Sequence, residues 1–132
     1  MGVFMMSCWL TNDRVPTVES YLAQIKHIVN VGGIDAVGIA NDYHIGGNPA
    51  AQSMSNDNAQ AVMTIMAWWN SVAKEQVLGF DTLPKHVVIP ELNNARRAFL
   101  IHDALVKAGY PSADVEKIMG GNWIRVLKES MG

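Results

Sequence analysis

The chain has 132 residues, 49% of them hydrophobic and 17% charged, with a formal net charge of -2; this is the size and balance of one packed domain and argues against a disordered chain. Its ten lysines and arginines form no basic stripe, which argues against a nucleic-acid partner. Cys8 is the single cysteine, so a disulfide framework and a cysteine-based zinc knuckle are both excluded within one chain.

The opening "MGVFMMSCWL" is apolar and rich in strand formers. It is too short to span a bilayer and has no basic lead-in of a signal peptide, so it reads as a strand over 2–10, with no membrane segment in the chain. Thr11-Asn12-Asp13-Arg14 marks a loop, and Pro16-Thr17 opens a helix whose apolar stripe is Val18, Leu22, Ile25 and Val29. Gly32 and Gly33 stop that helix, and a second strand follows over 36–40. A strand–helix–strand unit of this kind pairs its strands in parallel through a right-handed crossover.

Residues 41–56 are rich in glycine, proline, asparagine and serine and show no periodicity. A helix is expected from about Asp57 to Lys74, with Val62, Met63, Met66 and Trp69 on one face and its methionines as core filler. The stretch 79–94 reads as irregular, with a short extended piece at 86–89. A further helix covers 95–108 and stops at Gly109, with Arg96 and Arg97 on its solvated face. Ser112 is the expected N-cap of a short helix carrying Asp114 and Glu116; Gly120-Gly121 ends it, and Asn122 caps a last helix over 123–129.

Two parallel strands make a poor centre for a domain of several helices, because parallel strands are normally covered on both faces. They would serve better as the closing section of a larger parallel barrel, where sites lie at the carboxyl ends of the strands. The second strand ends on Asn41-Asp42-Tyr43-His44, a carboxylate and an imidazole followed by glycines.

At these residues the sequence resembles the C-terminal portion of the membrane (renal) dipeptidase family of zinc metallopeptidases. The stretches that carry the resemblance are "MGVFMMSCWL", "YLAQIKHIVNVGG", "IDAVGIANDYHIGG" and the closing "GYPSADVEKIMGGNWIRVLKESMG". They cover both ends of the chain in order, whereas 45–95 matches only in character. The resemblance implies an α/β fold, the last two strands and C-terminal helices of a metal-dependent-hydrolase (β/α)₈ TIM barrel, with residues 1–132 a section of a dipeptidase. It implies hydrolysis of dipeptides in a complete enzyme with two zinc ions. Their family ligands, an early His-x-Asp pair, a bridging Glu and two later histidines, all precede the matched portion, and no His-x-Asp pair occurs here. The expected partners are a dipeptide and either a missing N-terminal half or further copies of the chain. The isolated chain is expected to be inactive, and an apolar strand starting directly at Met1 agrees with a fragment.

Asp42 is the residue carried over from the family as substrate-binding; the plainer reading is an Asx-turn cap that ends a strand. His44, where relatives often have a second Asp, is a weaker candidate beside a solvated-loop reading. Trp9, at the exit of the first strand, is either a pocket wall or packing. Cys8 reads as a small core residue, and His27, His86 and His102 have no ligand partner at metal-binding spacing. Besides the enzyme reading stand a non-catalytic binding or scaffold remnant of the same fold, and a small helical interaction domain.

Overall fold

A computed structural model describes residues 1–11, 16–42, 44–49 and 58–132. Over these residues the chain is mixed α/β and mostly helical, with one two-stranded parallel sheet. β1 (Gly2–Val3) pairs with β2 (Gly38–Ile39) in the register Gly2 with Gly38 and Val3 with Ile39. The helix α1 (Val18–Gly32) joins them, so the expected strand–helix–strand unit is present and its strands are parallel.

Both strands are shorter than the sequence suggests. The chain leaves the ladder after the Ala40 N–H donates to the Val3 carbonyl at 3.0 Å, and Ser7–Trp9 winds into a 3₁₀ turn. Ile34–Ala36 is likewise a 3₁₀ turn, which leaves β2 only two residues to offer. With so short a partner the first segment finds its next backbone acceptor elsewhere: the Ser7 N–H donates to Val87 at 3.1 Å. Beyond the ladder the segment still divides its side chains between two sides. Val3 and Met5 enter one core, and Met6 and Cys8 enter another.

The stripe expected on α1 packs as predicted, but its fully buried centre is Tyr21 and Ile25, with Val18, Leu22, Ile28 and Val29 around them. Tyr21 was not in the expected stripe. Its hydroxyl donates to the Val3 carbonyl at 2.9 Å, tying helix to strand through a group that an apolar pattern does not count.

On α2 (Asn58–Lys74) the buried face is Asn58, Ala61, Val62 and Trp69, with Ile65 packed beside it. Met63 and Met66 are 63% and 42% exposed, so the core-filler expectation for these methionines is overturned. The helix is rotated so that Ala61, Ile65 and Trp69, four residues apart, meet Val87 and Val88.

The helix expected over 95–108 is α3 (Arg97–Lys107). Its end is a Schellman motif: the Tyr110 N–H donates to Leu105 and the Gly109 N–H to Val106, with Gly109 at φ 88. Ser112 does not cap the next helix. It is the first residue of α4 (Ser112–Glu116), and the capping position belongs to Pro111. A π-helical turn, Lys117–Gly121, then runs with a kink at Gly120 into α5 (Asn122–Met131).

Asn122 is not a cap either. Its amide donates to the carbonyls of Ile34 at 2.8 Å and Val37 at 2.7 Å, the two acceptors that flank the turn leading into β2. Trp123 beside it donates its indole N–H to Ile39 at 2.9 Å. A Cβ on Gly38 would lie 2.5 Å from that indole nitrogen, and one on Gly2 would lie 2.9 Å from the same ring. The paired glycines are thus the bed on which Trp123 rests, and α5 closes over the sheet through them.

Candidate functional site

The candidate site is the rim at the carboxyl end of β2, where Asn41, Asp42, His44, Ile45 and Gly46 are all exposed. One side chain from another element shapes it. Arg97, in the first turn of α3, is 6% exposed and was expected on a solvated face. Its guanidinium instead reaches across to the rim: Nη1 donates to Asn41 Oδ1 at 2.7 Å, and Nη2 to the carbonyls of His44 at 2.9 Å and Ile45 at 3.3 Å. Nε donates to the Asn94 carbonyl at 3.0 Å, which aims the fork. A planar fork with five donors suits a cluster of oxygens on one loop, and burial makes the bonds strong.

Asn93 holds the far end of the same loop. Its Oδ1 accepts from the Asn48 N–H, and its Nδ2 donates to the Asn48 carbonyl at 3.2 Å. Within the loop the Gly47 N–H donates to His44 at 2.8 Å, with Gly47 at φ 101, a left-handed conformation that favours glycine.

Asp42 sits between these fixed points. Its carboxylate has no hydrogen-bond or ion-pair partner among the described residues. An Asx-turn cap would have that carboxylate accept from a backbone N–H nearby, and no such bond is present among the described residues. His44 belongs to the loop through its backbone, and its imidazole is exposed. Trp9 keeps other company: its ring lies 5.9 Å from Phe4 and 6.3 Å from Phe80, edge to face, in an aromatic cluster completed by Trp68 and Trp69. Half exposed, it serves packing on one side and faces solvent on the other.

Cys8 is buried, and burial pushes its thiol up to about 11, so the thiolate is scarce at neutral pH and the residue is a core group. Nearby, the Ser7 hydroxyl and His86 Nδ1 are 2.9 Å apart and buried. The other ring nitrogen, Nε2, is buried and has no hydrogen-bond partner among the described residues. Burial, with Lys85 adding to it, lowers the His86 pKa and keeps the ring neutral. A cavity of about 320 Å³ lined by Cys8, Trp69, Asp81, Lys85 and His86 adjoins it. The Nε2 atom itself is sealed from water, so His86 contributes a wall to this cavity rather than a donor to a ligand within it. His27 is exposed, and His102 pairs with its neighbour Asp103 at 3.2 Å on the surface.

Among the described residues no group of three or more His, Cys, Asp or Glu could hold a metal ion. Asp42 and His44 offer two donors at most, short of the three protein ligands of a catalytic zinc. These residues do not by themselves fit a zinc site. Also among the described residues, no helix is long and apolar enough to cross a membrane.

The sequence pattern did not single out Asn93, and it gave Arg97 a solvated face and Asn122 a capping role instead of the bonds seen here. The one signal for Arg97 is its place in the first turn of a helix, where the dipole disfavours a cation unless oxygens surround it. No family model, no curated protein and no solved structure matches the chain.

Proposed function

We propose that this chain is the closing section of a larger hydrolase barrel of the dipeptidase type. In that reading it supplies the rim residue Asp42 to a site whose zinc ligands lie outside the 132 residues. The observation that carries the reading is the state of Asp42: an exposed carboxylate at the carboxyl end of a parallel strand, with no bond among the described residues, on a loop held from both sides. Carboxylates that only shape turns spend their oxygens on the backbone. This one keeps them for a partner from solution.

The chemistry available to it is modest and specific. A carboxylate at a strand end can accept hydrogen bonds from the free ammonium group of a dipeptide, fixing the substrate's amino end at the rim. The zinc ions of the complete enzyme would supply the activated water for peptide hydrolysis. The first segment and α5 also support a section that expects neighbours: Phe4, Trp123, Ile124, Leu127 and Met131 are all exposed, and the sheet has two strands among the described residues.

The test is to express the reading frame that contains this chain together with its upstream coding sequence. Dipeptide hydrolysis is then assayed with and without a chelator, alongside the 132-residue chain alone. Chelator-sensitive turnover by the longer protein and none by the short one is the expected result. Stoichiometric zinc and turnover in the short chain would contradict the proposal, as would an upstream sequence without a His-x-Asp pair.

A further inference from the structure

We infer that Arg97 is the positioning residue of the rim: it fixes the backbone of the loop on which Asp42 and His44 are presented, from a helix fifty-odd residues away. This rests on the reading of that rim as a site, and it adds the group that gives the site its shape.

Asn41, Asp42 and 44–46 are exposed, and within the loop the Gly47 N–H donates to the His44 carbonyl. Ordering an exposed glycine-containing loop costs conformational entropy, which bonds from outside the loop offset. Arg97 brings three donors to it, one on the side chain that precedes Asp42 and two on the carbonyls of residues 44 and 45 that follow. The bonds therefore bracket Asp42 without touching its carboxylate. A bonded Asp42 would be a structural ion pair, whereas a bracketed one is aimed and left open.

The placement of the charge carries the inference further. A buried guanidinium near the start of a helix is costly, both in lost hydration and against the positive end of the helix dipole. The carbonyl oxygens of the rim loop offset that cost only in the arrangement seen here. Loop and arginine thus fix each other, and Asn93 locks the loop's exit through Asn48. Lysine could not replace Arg97, since a single ammonium cannot reach a side-chain oxygen and two carbonyls in one plane.

The experiment compares amide hydrogen exchange in the 132-residue chain with that of Arg97→Met, Arg97→Lys and Asn41→Ala, read separately for residues 44–48 and for α1. In Arg97→Met, exchange at 44–48, the Gly47 amide above all, should rise at least about tenfold, the effect of losing charge-assisted bonds. Protection in α1 should stay unchanged, and Arg97→Lys should recover only part of the difference. Exchange at 44–48 that is unaltered, or that rises in parallel with α1, would overturn the inference, the second because it makes Arg97 a general stability residue. If Arg97→Met does not fold, Asn41→Ala decides: a rise at 44–48 of a few-fold supports the inference, and no change overturns it. None of these readings depends on catalysis. A loop that loosens in Arg97→Met while dipeptide turnover of the longer protein persists would count against the rim as a site and leave the positioning role standing.

Discussion

The first segment of the chain divides two cores that are held together by different means. On one side Val3, Met5, Val37, Ile89 and Leu92 meet Tyr21, Ile25, Ile101, Leu105, Val115 and Ile118, the last six from helical segments. The helical backbone there is satisfied within its own elements, while Tyr21 donates to the Val3 carbonyl and Asn122 to that of Val37. On the other side Met6 and Cys8 meet Ala61, Val62 and Trp69 of α2 and the irregular residues Val87 and Val88. There a buried amide does the work of a missing strand. Asn58 Oδ1 accepts from the N–H groups of Val87 at 2.8 Å and Val88 at 2.9 Å, and its Nδ2 donates to the Val88 carbonyl at 3.1 Å. The comparison teaches that irregular chain can line a core only where side chains answer for its backbone.

The largest effect that could sharpen this contrast is expected at Trp69. It fills the second core at 2% exposed and donates to the Phe80 carbonyl at 3.1 Å. Trp69→Ala should cost about 3–5 kcal/mol in urea unfolding, as large-to-small changes of buried aromatics do. A loss under about 1 kcal/mol would mean that the second core is not a packed unit.

The two asparagine clamps come next. Asn58→Ala strands two buried N–H groups and a carbonyl, for a cost of about 3 kcal/mol; Asn122→Ala strands two carbonyls, for about 2 kcal/mol. Equal or reversed costs would break the argument that the irregular core leans harder on its amide. Met63→Ala, by contrast, should change stability by less than about 0.5 kcal/mol, since its side chain is mostly in solvent.

The smallest expected effect is on pH dependence. The folded pKa of His86 lies below that of a free imidazole, about 6.5. Between that value and the lower folded one the unfolded chain binds more protons. Stability contributed by the neutral ring is therefore present above the unfolded pKa and lost as pH falls towards the folded pKa. His86→Gln should flatten the stability curve in that window. A slope identical to that of the unsubstituted chain would assign the titration to another group.

Periodicity and punctuation made the first core legible. The stripe on α1, the glycine stops at 33 and 109, and the parallel crossover are all local signals that the structure reproduces. The second core was opaque for a physical reason: Asn58 and Ser7 are polar groups whose burial depends on segments far along the chain. The rotation of α2 away from Met63 and Met66 follows from contacts with Val87 and Val88 that no local pattern encodes. At the candidate site the strand end was readable from a run of apolar residues that stops at polar ones, while Asp42 was proposed from the resemblance. Arg97 was not readable, because a basic residue in a helix looks solvated until its partners, more than fifty positions away, are known.

The most direct test of the account is turnover by the longer protein carrying Asp42→Asn, measured with dipeptides beside the thermal stability of the same variant. Because the Asp42 carboxylate has no partner among the described residues, stability should change by less than about 0.5 kcal/mol. Turnover should fall by a factor on the order of a hundred or more, the scale of losing one positioned electrostatic contact at a reacting substrate. Full turnover in that variant would contradict the claim that the rim of β2 faces substrate.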